Sequence, residues 1–244
     1  MSESPKPRRY RRRMQPRLLI LLVALVAVLG AGCGGDDEST SATTAAPAAT
    51  APETDTGTGS DAGCEQVAAP EPKPEGTLKA PTAPLPAGEY RAVVRTNCGD
   101  FTITLDPKAS PKTVASFVSL AEKGFYDDTV FHRIVPGFVI QGGDPTATGG
   151  GGPGYSTVDT PAQSTTYTLG TVAMAKTAAE APGTSGSQFF VVTADDAQLP
   201  PDYAVIGKVT EGMDVVTAIG LLGDPATEMP TQPVVVESIE IERP

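Results

Sequence analysis

From Gly88 onward the chain falls into short runs of β-branched and aromatic residues, each closed by glycine, proline or an Asn/Asp pair, and that spacing favours a sheet. Residues Tyr90 to Thr96 (YRAVVRT) and Phe101 to Leu105 (FTITL) flank Asn97-Cys98-Gly99-Asp100, which reads as a hairpin turn. Val130 to Val135 and Phe138 to Gln141 flank Pro136-Gly137. Thr171 to Ala175, Gln188 to Thr193, Tyr203 to Val209 and Val234 to Ile241 add four more strands. Two stretches carry helical spacing instead. Ser110 is the N-cap of the first, Pro111 takes its first position, Val114, Phe117, Val118 and Ala121 share one face, and Gly124 ends it. Glu211 to Leu222 is the second, with Met213, Val216, Ile219 and Leu222 inward. The pattern predicts a mainly β domain over residues 88–244, a closed eight-stranded antiparallel barrel capped by two helices.

The preceding residues lack this patterning. Lys6, Arg8, Arg9, Arg11, Arg12, Arg13 and Arg17 form a basic cluster, and Leu18 to Gly35 then carries no charge. A basic region, an apolar stretch and small residues describe an export signal over residues 1–33. Its end, Leu29-Gly30-Ala31-Gly32-Cys33, resembles a lipoprotein lipobox, in which Cys33 becomes the lipidated first residue of the mature chain. An uncleaved signal anchor is the alternative, since the apolar stretch is just long enough for a short span. Either way the remainder lies on the extracytoplasmic face of the cell membrane, because the arginine cluster stays inside. Residues 34–87 are rich in Thr, Ala, Pro and acids, bury too little apolar area to offset chain entropy, and read as a disordered tether. With Cys33 lipidated, Cys64 and Cys98 remain in an oxidising compartment, either as a disulfide or as two free thiols.

Charge and composition remove several functions. The net charge is −11, with the basic residues concentrated in the first segment, so the body has no basic face for nucleic acid. With one His and three Cys, no structural zinc site of the usual Cys/His kind is expected. Gly149 to Gly154 lacks the Lys-Ser/Thr that follows a phosphate-binding glycine loop, and reads as a turn beside a groove. No metal and no cofactor are expected.

Two strings carry the chemistry: FHRIVPGFVIQGGD at 131–144 and TSGSQFFVVT at 184–193. The first resembles the signature of the cyclophilin family of peptidyl-prolyl cis-trans isomerases and the second its companion strand. Val172-Ala173-Met174-Ala175, the KGFYDDTVFHRI approach from Lys123 and the IGKVTEGMDVV segment from Ile206 fit as well. The likeness spans about Gly88 to Ile241. It implies a cyclophilin-like barrel that catalyses X-Pro bond rotation, with proline-containing segments of folding exported proteins as partners and a monomeric state.

That chemistry makes sense of the residues. Rotation of an X-Pro bond must break amide resonance, against a barrier of about 18–20 kcal/mol, and no bond to carbon changes. The task needs an apolar recess for the ring and a donor that prefers the twisted amide. The resemblance gives Arg133 the role of that donor, Phe138 and Phe190 the pocket aromatics, Leu199 the pocket leucine and Val139 a neighbouring wall. Gln141 orients the arginine and bonds the substrate backbone, and His132 stands beside it. Ala175 and Lys176 belong to the strand that pairs with peptide, Gln188 lies on the substrate side, and Tyr203 stands where the family commonly has His.

Besides Tyr203, this chain departs from the family pattern in three further places. Lys176 replaces a common Asn, Gln198 stands where many members have a rim Trp, and Thr177 to Ala181 is about three residues longer than the common form. Two rival functions follow from the residues. A serine hydrolase would use Ser185 of Gly183-Thr184-Ser185-Gly186-Ser187 with His132 as base. A proline-peptide-binding holdase or scaffold would use the same recess without turnover.

Overall fold

The structure, a computed structural model, describes residues 63–243. The export signal, Cys33 and the first part of the tether lie outside the described residues. Among the described residues no helix is long and apolar enough to cross a membrane.

The expected hairpin forms first in the chain: β1 (Tyr90–Thr96) and β2 (Gly99–Leu105) pair from Tyr90 opposite Leu105 to Thr96 opposite Gly99. Helix α1 (Pro111–Ala121) follows with Pro111 at its start; Ser110 holds the cap position, though its side chain makes no capping hydrogen bond. The remaining elements are β3 (Thr129–Val130), β4 (Arg133–Val135), β5 (Val139–Gly142), β6 (Thr157–Val158), β7 (Thr171–Met174), β8 (Thr184–Ser185), β9 (Phe189–Val192), β10 (Val205–Glu211), α2 (Met213–Gly220) and β11 (Val235–Glu242).

Nine of the strands form one antiparallel sheet in the order β3-β11-β1-β2-β10-β7-β9-β5-β4, and β6 and β8 form a small pair of their own. β3 and β4 stand at opposite ends of that order, yet only Phe131 and His132 separate them in the chain. The sheet therefore curls round until its two ends belong to one extended stretch. This is the expected mainly β barrel with two helices. The extra strand arises because residues 130–135 do not stay with one partner: Val130 pairs with Val235 of β11, and Arg133 pairs with Gln141 of β5.

Helix α2 is shorter than the sequence suggests. Glu211 still pairs with Thr102 of β2, and Gly212 turns the chain out of the strand with φ +73. A Cβ at Gly212 would lie 2.4 Å from the Asp100 carbonyl oxygen, so both the close approach and the left-handed backbone require glycine there.

The interior is apolar and aromatic. Phe117 of α1, Tyr126, Phe131 and Phe189 meet near-perpendicularly around Phe189, with centroids 5.8–6.0 Å from it. Each fully buried side chain of this size contributes about 1.5–3 kcal/mol by leaving water, which makes the helix-to-sheet contact a main source of stability.

The chain from Gly63 to Ala87 is not a free tether. Cys64 is joined to Cys98 at the β1–β2 turn by a disulfide. Glu65 N–H donates to the Asn97 carbonyl at 2.7 Å, and Asn97 Nδ2 donates back to the Glu65 carbonyl at 2.8 Å. Further along, the N–H groups of Lys73, Gly76 and Leu78 donate to the carbonyls of Pro145, Gly152 and Pro153 at 2.8–2.9 Å. Cys64, Leu78 and Leu85 also pack against the core. Its composition alone favours disorder, but three apolar anchors, one covalent bond and paired backbone groups hold this segment as a strap.

Candidate active site

The site grows out of strand register. β4, β5, β9 and β7 lie side by side, with Arg133 opposite Gln141, Gln141 opposite Phe190 and Phe190 opposite Ala173. Successive side chains of a strand point to opposite faces. Ile134, Ile140, Phe189, Val191, Val172 and Met174 turn into the main core. Their neighbours are left on the other face, where Val139, Tyr167, Ala173, Phe190 and Val192 form a second apolar cluster edged by Phe138, Ala175, Leu199 and Tyr203. A one-residue slip would exchange the two sets.

On that face Arg133, Phe138, Val139, Gln141, Ala175, Lys176, Phe190, Leu199 and Tyr203 line one recess of about 160 Å³. These are the expected site residues apart from His132 and Gln188. Phe190 and Tyr203 meet edge to face at 5.4 Å and 87°. Tyr203 is held in turn by Tyr167, whose hydroxyl donates to the Tyr203 carbonyl at 2.7 Å and accepts from its N–H at 2.9 Å. Lys176 lies along the wall with its side chain only 6% exposed. Its ammonium sits 5.6 Å from the Tyr203 ring centroid and donates to the Glu180 carbonyl at 3.2 Å.

A directed series of hydrogen bonds runs along the lip. Arg133 Nη1 donates to Gln141 Oε1 at 3.4 Å, Gln141 Nε2 to Gln188 Oε1 at 3.0 Å, and Gln188 Nε2 to the Gly151 carbonyl at 3.0 Å. Each glutamine accepts at its oxygen and donates from its amide nitrogen, so neither amide can turn over without breaking two contacts. Gln188 thus lies beside the recess, in the adjoining depression of about 240 Å³ formed with Gly149 to Gly152, Thr177 and Glu180. The long Thr177 to Ala181 loop is closed on itself there, with Glu180 Oε2 accepting from the Thr177 N–H at 2.6 Å and hydroxyl at 2.8 Å. Gln198 is exposed beside Leu199, with φ +52.

The glycine loop surrounds a carboxylate, opposite to what a phosphate cradle would do. Asp144 is fully buried and accepts from the N–H groups of Thr146, Gly149 and Gly151 and from the Thr146 hydroxyl at 2.6–3.1 Å. Burial alone would raise its pKa, but these four bonds together hold it below the ordinary 3.8. The loop has no room for side chains at Gly151, where a Cβ would sit 2.2 Å from Asp144 Oδ1.

His132 belongs to the opposite side of Arg133, in a depression shared with Gly149, Thr227 and Glu228. Burial lowers its pKa below the ordinary 6.5, Asp144 opposes that shift and Arg133 adds to it, so the ring is neutral at pH 7. The hydrolase reading fails on geometry. Ser185 is fully buried and its hydroxyl donates to the Gly183 carbonyl at 3.2 Å, while the buried Ser187 hydroxyl donates to the Gly143 carbonyl at 2.7 Å. Sequence reading missed Asp144 as the hub of the glycine loop, although it closes the 131–144 string, and it missed Glu228, for which the sequence carries no signal. Glu228 Oε2 accepts from Arg133 Nε at 2.7 Å.

Fold and site together define a β-barrel protein with an open apolar recess lipped by an arginine. Residues 91–241 match the family described as cyclophilin type peptidyl-prolyl cis-trans isomerase/CLD. Peptidyl-prolyl cis-trans isomerase A of Mycobacterium tuberculosis is 40% identical over 174 residues, covering 64% of this chain and 94% of that protein. Peptidyl-prolyl cis-trans isomerase B of Bacillus subtilis is 46% identical over 111 residues, covering 45% of this chain and 76% of that protein. A crystal structure of a cyclophilin type peptidyl-prolyl cis-trans isomerase from Cryptosporidium parvum superposes with a TM-score of 0.58 and 31% identity, over 63% of this chain and 98% of that one. A second structure from that organism, solved in the presence of the dipeptide Ala-Pro, gives the same TM-score. The chain belongs to the cyclophilin-type peptidyl-prolyl cis-trans isomerase family, and its enzyme class is peptidyl-prolyl cis-trans isomerase.

Proposed function

We propose that this enzyme speeds X-Pro rotation in proteins folding outside the cytoplasmic membrane, working from an anchor at that membrane. Uncatalysed isomerisation takes tens of seconds or more and can limit folding, so an exported isomerase has a task there. The basic cluster, the uncharged stretch to Gly35 and Cys33 support the address.

The observation that carries the catalytic reading is the place of Arg133, at the lip of an apolar recess and opposite Gln141. The proline ring enters between Phe138, Phe190 and Leu199 and leaves the preceding peptide bond beside the guanidinium. As resonance is lost the prolyl nitrogen gains a lone pair, and an arginine N–H donates to it. An arginine guanidinium is permanently charged and offers several donors in a fixed fork. The planar cis and trans amides have no such lone pair to offer, so the contact favours the twisted form over both, which is the condition for catalysis. Gln141 holds the guanidinium, and the backbone beside Ala175 and Lys176 aligns the peptide. His132 moves no proton, because the reaction transfers none. The Ala-Pro dipeptide named with the relative's structure supports this use of the recess.

The test is relaxation of a short X-Pro peptide from cis to trans, with wild type and Arg133→Ala compared. Acceleration by wild type and its loss in the variant are expected. Peptide binding without any acceleration by wild type would leave only the holdase reading. Mass spectrometry of the mature N-terminus tests the anchor: a lipidated Cys33 is expected, an intact N-terminus would mean the uncleaved signal anchor instead, and an unmodified chain beginning at or after residue 33 would remove both.

A further inference from the structure

We infer that Glu228 is a positioning residue for Arg133, which sets the plane of the guanidinium from the side away from the recess. The inference rests on the reading of Arg133 as the donor to the prolyl nitrogen. Gln141 binds the guanidinium at Nη1 and Glu228 binds it at Nε. One contact alone leaves the planar group free to swing about that bond. Two contacts on different nitrogens define the plane and leave Nη2, with the remaining Nη1 hydrogen, for a substrate.

Glu228 is itself held for this purpose. It is a non-glycine residue at φ +59, a region that side chains avoid unless the surroundings enforce it. Its carbonyl accepts from the N–H of Ile134, the residue beside Arg133 on β4, at 2.8 Å, and its N–H donates to the Asp224 carbonyl at 2.8 Å. Asp224 closes the turn by accepting from the Ala226 and Thr227 N–H groups at 2.8 and 2.9 Å. The loop is thus pinned to β4 next to the arginine and presents the carboxylate to Nε. The two side chains are 35% and 47% exposed, and pairs this exposed add little to stability. A strained backbone held for a pair of such small worth to the fold points to orientation of the arginine.

The test uses the full chain and a short X-Pro peptide, with kcat and KM measured separately. Glu228→Ala is expected to lower kcat by about three- to tenfold with KM changed by less than about twofold, since orientation acts on the twisted amide more than on binding. Glu228→Gln keeps an acceptor for Nε and is expected to restore kcat to within about twofold of wild type. Asp224→Ala leaves the carboxylate in place and loosens only its aim; a fall in kcat there supports the inference even where Glu228→Ala fails to fold. Wild-type kcat in both Glu228→Ala and Asp224→Ala, with Arg133→Ala inactive, overturns the positioning role alone. An equal loss in Glu228→Ala and Glu228→Gln also overturns it, because the acceptor would then not matter. Full activity in Arg133→Ala instead removes the reading on which the inference stands.

Discussion

Gln141 and Gln188 face each other through one amide contact of 3.0 Å, and through it the arginine at the lip is joined to the glycine loop. Gln141 must accept from Arg133 and donate to Gln188 at once. Glutamate can do only the first and leucine neither. We expect kcat to fall in the order wild type, Gln141→Glu, Gln141→Leu, with about a tenfold loss for Leu, the size of one stabilising contact of about 1.4 kcal/mol. Steady-state kinetics of the two variants check the order, and equal activity of all three would remove the orienting role.

Arg133→Ala should lower kcat by about a hundredfold, the usual cost of losing a principal electrostatic donor. Stability should change by less than about 1 kcal/mol, because the ion pair lost to Glu228 is a half-exposed one. Thermal unfolding measured beside the kinetics separates the two effects.

Phe138 and Phe190 should respond differently. Phe138 is only partly buried at the edge of the outer cluster, whereas Phe190 is 4% exposed and packs on Tyr203 and Tyr167. Phe138→Ala is expected to raise KM several-fold with a smaller change in Tm than Phe190→Ala, since much of the area removed is open to the recess. Phe190→Ala should raise KM and also cost about 3–5 kcal/mol of stability. Chemical denaturation of both variants checks the contrast.

The single histidine gives a clean pH probe. Burial lowers the pKa of His132 in the folded protein below 6.5, so the unfolded chain binds the proton more readily. Its contribution to stability is complete above pH 6.5 and is lost as pH falls below that value toward the folded-state pKa. The imidazole NMR signal should titrate below 6.5, and His132→Gln should flatten the fall in Tm over that acid range. A titration at or above 6.5 would contradict the burial.

Cys64→Ser should cost about 2–4 kcal/mol, as expected for a link across a separation of 34 residues. Gly76→Ala probes the other end of the strap. A Cβ there would lie 2.8 Å from the Pro153 backbone, so the strap must lift from the glycine loop. Faster hydrogen exchange at the residue 76 amide and at Leu78 is the expected result, and unchanged exchange would show that the strap does not lift.

Much of this was legible in the sequence. The row Arg133, Gln141 and Phe190 could be placed because strand alternation and one dense string act together: each of those residues is flanked by an apolar neighbour that faces the core. The two-residue strands β6 and β8 carry too few side chains to show a period. The sequence of the strap reads as a tether because Cys64, Leu78 and Leu85 recur with no helical or strand spacing, and part of its hold comes from backbone N–H groups that any residue but proline could supply. Glu228 was invisible for a different reason: its role depends on a turn that returns to β4 after a separation of 95 residues.

The Cys64–Cys98 link also decides where a pull on the N-terminal side of the molecule is felt. Tension entering at Gly63 passes through sulfur straight to the tip of the first hairpin, so the covalent line of force bypasses residues 65–97. The strap over the glycine loop, and the groove wall it supports, would stay undisturbed while the protein is tugged.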